Sequence, residues 1–123
     1  MPFTLPDRLN EREPVYSQIV RQIKVDLATG RLRSGETLPS RRELAAILGV
    51  NPNTVQKAYR LLEEEGILIT SPNARSHIRA DEDSLRRLRG ELTGEAAEDF
   101  VSRAKELGLD FKDAIGLLTE KWQ

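Results

Sequence analysis

A chain of 123 residues is long enough for one compact domain with a modest extension, and at that size it buries roughly two-thirds of its unfolded surface. It has no cysteine, which excludes a disulfide scaffold and any thiolate metal site and is compatible with a reducing compartment. The net charge of -1 hides an asymmetry: residues 1–80 hold 12 Lys/Arg against 9 Asp/Glu, a balance of +3, while residues 81–123 hold 7 against 11, a balance of -4, so an anionic partner is expected for the first part.

The opening stretch MPFTLPDRLNEREP lacks the apolar core of roughly 7 to 15 residues that a secretory signal needs, and no apolar run nears the ~20 residues of a membrane span. The expectation is a soluble cytoplasmic protein with no membrane partner. Pro14 suits a first helical turn, and Tyr16, Ile19, Val20, Ile23 and Leu27 recur at helical spacing until Gly30, which predicts helix 1. RLRSGETLPS mixes turn formers with Glu36-Thr37-Leu38, a candidate for one brief strand, before Ser40 caps a helix over about Arg41 to Leu48. The next helix starts behind Asn51 with Pro52 at its first position, where no backbone donor is needed, and ends at Gly66. ILITS and SHIRA then flank Pro72 to Arg75 as a hairpin.

The acidic remainder predicts two or three helices. Gly90 and Gly94 leave open whether Asp83 to Leu107 is continuous or broken. Gly108 ends this element, Asp110 caps the last helix, and Phe111, Ile115, Leu118 and Trp122 follow one face at i, i+4, i+7 and i+11.

The stretch LAAILGVNPNTVQKAY fits two helices crossing closely at a turn, with a small residue at Ala45 and a turn former at Gly49. Leu44, Leu48 and Val50, then Val55, Ala58, Tyr59 and Leu62, form the expected inner stripe. Asn53, Gln56, Lys57 and Arg60 then fall on the opposite face, all amide or cation. A second helix entering a major groove presents its N-terminal residues to base edges, and a carboxylate there is repelled by phosphate, which explains Asn-Pro-Asn-Thr. Asn53 and Gln56 match the donor and acceptor of an adenine edge, and Lys57 and Arg60 reach guanine or phosphate. Arg41 and Arg42, with Thr37 and Ser40 nearby, are candidates for backbone phosphates.

Catalysis and metal binding have no support. Ser34, Ser40 and Ser71 lack a matched base and acid, and no glycine-rich phosphate cradle appears. His77, the only histidine, reads as a solvated wing residue, and Glu63, Glu64 and Glu65 point around their helix axis, leaving Glu64 to pair with Arg60. No cofactor or enzyme activity is expected. A protein-binding adaptor built on the same surface stays as the alternative, and RNA binding ranks last because Tyr16, Tyr59 and Trp122 occupy predicted apolar faces rather than stacking positions.

The string GRLRSGETLPSRRELAAILGVNPNTVQKAYRLLEEEGIL closely resembles the winged-helix domain of the GntR family of bacterial transcription regulators. With YSQIVRQI upstream and the short segment downstream, the chain resembles the small YtrA-type members. The resemblance implies a mainly α fold with a small β-hairpin, in which a winged helix-turn-helix domain (1–80) precedes a short C-terminal helical dimerisation segment (81–123). It also implies a dimeric repressor on a palindromic double-stranded operator. Family contacts carry over onto Arg42, Asn51, Asn53 and Thr54, and less directly onto Arg41, Gln56 and Lys57; Pro52, at the first position of the same helix, is a DNA-binding candidate beside them. The hairpin TSPNARSHIRA departs from the family's glycine-tipped wing, so minor-groove insertion does not follow; Arg75 remains a phosphate candidate and Asn73 a left-handed turn residue. Family members with sensing domains carry far more chain after the wing than the 43 residues here, so a buried effector pocket is not expected and any effector stays unidentified. Phe100, Val101, Ala104 and Leu107, facing Phe111, Ile115, Leu118 and Trp122, form too large an apolar set for one short helical pair to cover, which implies a homodimer.

Overall fold

The computed structural model describes residues 9–70 and 75–123. Along these the order is α1 (Val15–Ala28), α2 (Arg41–Leu48), α3 (Pro52–Glu64), β1 (Leu68–Ile69), β2 (His77–Ile78), α4 (Glu82–Glu106) and α5 (Phe111–Lys121). The architecture is mainly helical with one two-stranded antiparallel hairpin, as expected from the sequence. Two compact units divide between Arg89 and Gly90.

In the first unit, Pro14 opens α1 by offering its carbonyl to the amides of Ser17 and Gln18 at 3.1 and 3.3 Å. The Gln18 side chain is buried and pins the segment before the helix: its amide donates to the carbonyls of Asn10 and Glu13, and its oxygen accepts from the Asn10 amide. Ile19, Ile23 and Leu27 supply the buried stripe, whereas Tyr16 and Val20 are only half-buried because they sit at its margin.

Ser40 and Glu43 close a capping box at the start of α2, and Gly49 ends it with φ 70, a left-handed conformation that a side chain would strain. The amide of Val50 then reaches back to the Ala45 carbonyl at 3.0 Å, and the chain turns into α3. Leu44, Val55, Ala58 and Leu62 are completely buried, and Ala45 and Tyr59 nearly so. Leu48 and Val50, expected inside, are half-buried because the turn lifts them to the rim of the crossing. The hydroxyl of Tyr59 donates to the Pro39 carbonyl at 2.7 Å, which satisfies the one polar atom of a buried ring, and burial pushes its phenol pKa up.

The wing pairs Leu68 with Ile78 and Ile69 with His77. The strand expected at Glu36-Thr37-Leu38 shrinks to a single bridge between Thr37 and His77, flanked by Leu38 N to Ser76 O at 2.9 Å and Ile78 N to Glu36 O at 2.8 Å. His77 is therefore half-buried within a strand, not a solvated residue. Ser71, Pro72 and the turn role of Asn73 lie outside the described residues.

Asp81 caps the start of α4, where its carboxylate accepts from the Ser84 amide at 2.8 Å. Leu88 is buried, and Arg89 donates from Nε and Nη2 to the Ala28 carbonyl at 3.2 and 2.9 Å, closing the C-terminal end of α1. Gly90 and Gly94 do not interrupt α4, which answers the question of continuity left by the sequence. In the second unit, Asp110 caps α5 through the Asp113 amide at 2.8 Å. Ala104 is buried, while Leu107, Phe111 and Trp122 are 79%, 82% and 82% exposed, so Trp122 does not occupy a covered apolar face within the chain.

Candidate nucleic-acid interface

Burial of Val55, Ala58, Tyr59 and Leu62 fixes the rotation of α3 and turns its other face outward. Asn53, Gln56, Lys57 and Arg60 are all exposed, and no acidic residue stands in the first turn of the helix. The positive end of the helix dipole is thus left uncompensated for an anion. Asn51 and Pro52 are exposed and Thr54 half-buried. Asn51 uses its side-chain oxygen to accept from the Asn53 amide at 2.8 Å, so it holds the helix start in place and keeps its amide nitrogen as a donor on the exposed side.

The starts of α2 and α3 converge on a cleft of about 420 Å³ lined by Ser40, Arg41, Arg42, Pro52, Asn53 and Gln56. Six of the twelve nucleic-acid candidates named from the sequence therefore share one concavity. Arg42 is exposed beside it with no ion pair among the described residues. Arg41 instead swings its Nη2 to within 3.6 Å of Glu63, and its Nε is buried without a hydrogen-bond partner. Thr37, Lys57, Arg60 and Arg75 do not line this cleft. Thr37 is exposed at the base of the wing, and Arg75 reaches Glu43 at 2.8 Å.

Lys57 carries its Nζ 4.0 Å from the centroid of the Tyr16 ring. That contact, worth about 0.5–1 kcal/mol at an exposed site, ties the middle of α3 to α1. Glu63 accepts from Thr70 Oγ1 at 2.8 Å, and Glu65 pairs with Lys24 at 2.8 Å. The pair expected between Glu64 and Arg60 is absent among the described residues, since an exposed i, i+4 pair gains only a few tenths of a kcal/mol over hydration. Two residues of this surface were missed from the sequence. Glu43 was legible in the spacing Ser40-x-x-Glu43, a capping-box signature, whereas nothing local marks Tyr16 as the partner of a residue on α3.

No group of side chains suited to a metal ion occurs among the described residues, and no helix there is long and apolar enough to cross a membrane.

A helix-turn-helix with an outward amide and cation stripe, followed by a hairpin wing, defines a winged helix-turn-helix DNA-binding protein. The family model for bacterial regulatory proteins of the gntR family matches residues 15–78. The HTH-type transcriptional regulator YhcF of Bacillus subtilis is 37% identical over 111 residues, covering 90% of this chain and 92% of that protein. The HTH-type transcriptional repressor YtrA of the same organism is 53% identical over 57 residues, covering 46% of this chain and 44% of its own. Among solved structures, a GntR family transcriptional regulator from Listeria monocytogenes superimposes with a TM-score of 0.83 at 32% identity, covering 91% of this chain and 98% of that one. The chain belongs to the GntR family and is a YtrA-like, DNA-binding transcriptional regulator.

Proposed function

We propose that the protein is a homodimeric repressor that seats one α3 per subunit in successive major grooves of a palindromic operator. The observation that carries this reading is the exposed row Asn53, Gln56, Lys57 and Arg60, held outward by a fully buried opposite stripe, with Asn53 and Gln56 sharing a cleft with Arg42. Asn53 and Gln56 read base edges; Arg42 and Arg60 bind phosphate; Ser40, Pro52 and Thr54 shape the approach. Residues 1–80 carry this surface and 81–123 dimerise. Support for dimerisation comes from the second unit, where Val101, Phe111, Ile115, Leu118 and Trp122 expose large apolar area along α4 and α5. Occlusion of a promoter is the mechanism of repression in keeping with the similarity to the repressor YtrA.

Selection of bound duplexes from a random pool tests the whole reading. A two-fold symmetric motif with half-sites about 10 bp apart, or a multiple of that, is expected. Gln56→Ala should relax one position in each half-site, since a bidentate contact contributes about 1–3 kcal/mol of discrimination. A pool with no enriched sequence would reject the regulator in favour of a protein-binding adaptor.

A further inference from the structure

One cation of the wing, Arg75, is already occupied. Arg75 Nη1 lies 2.8 Å from Glu43 Oε1, with side chains 51% and 48% exposed, so the pair stands in water at the surface. Glu43 also accepts from the Ser40 amide at 3.2 Å, completing the cap of α2. The Ser40 hydroxyl, the Ser40 amide and the Arg75 guanidinium together hold the Glu43 carboxyl below the usual carboxylate range. Near neutral pH a negative charge therefore stands one residue from Arg42, on the face that is to meet a polyanion. An unpaired carboxylate there would repel phosphate.

The second acidic contact nearby differs in kind. Glu63 meets Arg41 at the longer distance of 3.6 Å and accepts from Thr70, whose hydroxyl also meets that of the buried Ser76 at 3.0 Å. It braces α3 against the strands. The Glu43–Arg75 pair has no such buried anchor and joins only the start of α2 to the second arm of the hairpin.

We infer that Glu43 is an internal competitor for the DNA backbone: its carboxylate holds Arg75 where a phosphate would, and Arg75 contributes to duplex binding only by exchanging that carboxylate for a phosphate. Glu43 thereby sets how tightly and how salt-dependently the wing engages DNA. Exposed ion pairs of this kind are weak enough for the exchange to occur at a phosphate held in place by the rest of the interface. The inference rests on the proposal that the face bearing Arg42 and the start of α3 meets the duplex.

The test uses the full chain and a labelled 30-bp duplex of random sequence, titrated at several KCl concentrations. Glu43→Gln removes the charge and keeps the cap, because glutamine serves the same place in a capping box. It should tighten binding by about two- to fivefold per bound subunit. It should also steepen the slope of log affinity against log salt by up to about 0.9 per subunit. In an Arg75→Gln background the same change should gain clearly less, because only the repulsion between the carboxylate and phosphate is then relieved. An equal gain with Arg75 absent would reduce Glu43 to simple charge repulsion and overturn the inference, as would no gain while Arg42→Ala still weakens binding. Arg75→Gln alone reads the gate without touching the cap: a slope loss as large as that of Arg42→Ala would overturn it. If Arg42→Ala leaves duplex binding unchanged, the interface itself is misplaced, and that failure is separate from the behaviour of Glu43.

Discussion

In the α2–α3 pair the inward stripe finds cover, with Leu44, Val55 and Leu62 at 0% exposure, while Ile47, at 50%, and the polar groups of α3 are left outside. The 90–123 unit does the reverse: Ala104 is its buried apolar residue among those described, and Phe111 and Trp122 remain 82% exposed. Both are pairs of helices joined at a glycine, with apolar residues recurring at helical spacing on α2, α3, α5 and the last turns of α4. The difference shows that amphipathicity alone says which face is apolar, and that the supply of neighbouring elements says whether the chain itself covers it. Helix α3 meets α1, α2 and the wing, whereas two helices alone cannot bury two broad apolar stripes.

The largest effect that would break this contrast is in the first unit. Leu62→Ala should destabilise the folded chain by about 2–5 kcal/mol in urea unfolding, since the transfer loss adds to a cavity that cannot collapse. A loss under about 1 kcal/mol would mean that the crossing is loosely packed. In the second unit Trp122→Ser and Phe111→Ser should leave the stability of the monomer within about 0.5 kcal/mol. Each should weaken self-association, followed by sedimentation equilibrium, by about 2 kcal/mol or more if these residues anchor the dimer. Unchanged association would detach the apolar face from dimerisation.

Smaller changes sharpen the comparison at its border. Gly94 lies inside α4, and a methyl group added to its α-carbon would find no atom within 4 Å, so Gly94→Ala meets no clash. It should raise helix stability by about 0.5–1 kcal/mol. A decrease, seen as earlier loss of helical circular dichroism on heating, would show that a partner needs the space. The smallest effect is a titration. The backbone amide of Ser84, and then its side chain, hold the Asp81 carboxyl below its ordinary 3.8. A carboxyl depressed in the folded state contributes fully above the ordinary value and loses that contribution as pH falls through the lower folded one. Asp81→Asn retains a cap that does not titrate, so the wild-type advantage over it should be present near neutrality and vanish in acid. An advantage that persists in acid would mean that the charge on Asp81 is idle.

Much of the candidate surface was legible beforehand because it lies on one helix. Once Val55, Ala58, Tyr59 and Leu62 are assigned inward, the period of 3.6 residues puts Asn53, Gln56 and Arg60 outward with no further information. Caps at Ser40, Asn51 and Asp110 were equally readable, since each is satisfied within three residues of itself. The reach of Arg41 toward Glu63, the seat of Lys57 on Tyr16 and the grip of Glu43 on Arg75 join residues 22, 41 and 32 positions apart. No local pattern specifies such partners.

What the sequence determined by itself was therefore the helices, the hairpin and the inner and outer faces of α3, which follow from short-range periodicity and capping chemistry, while the family was read from a resemblance. Only the tertiary structure decided which cations are engaged and which stand open, and that α4 runs unbroken through two glycines. The reason is one of range. Backbone periodicity acts over a few residues, whereas a charged side chain chooses its partner from whatever the packed elements bring within a few ångströms.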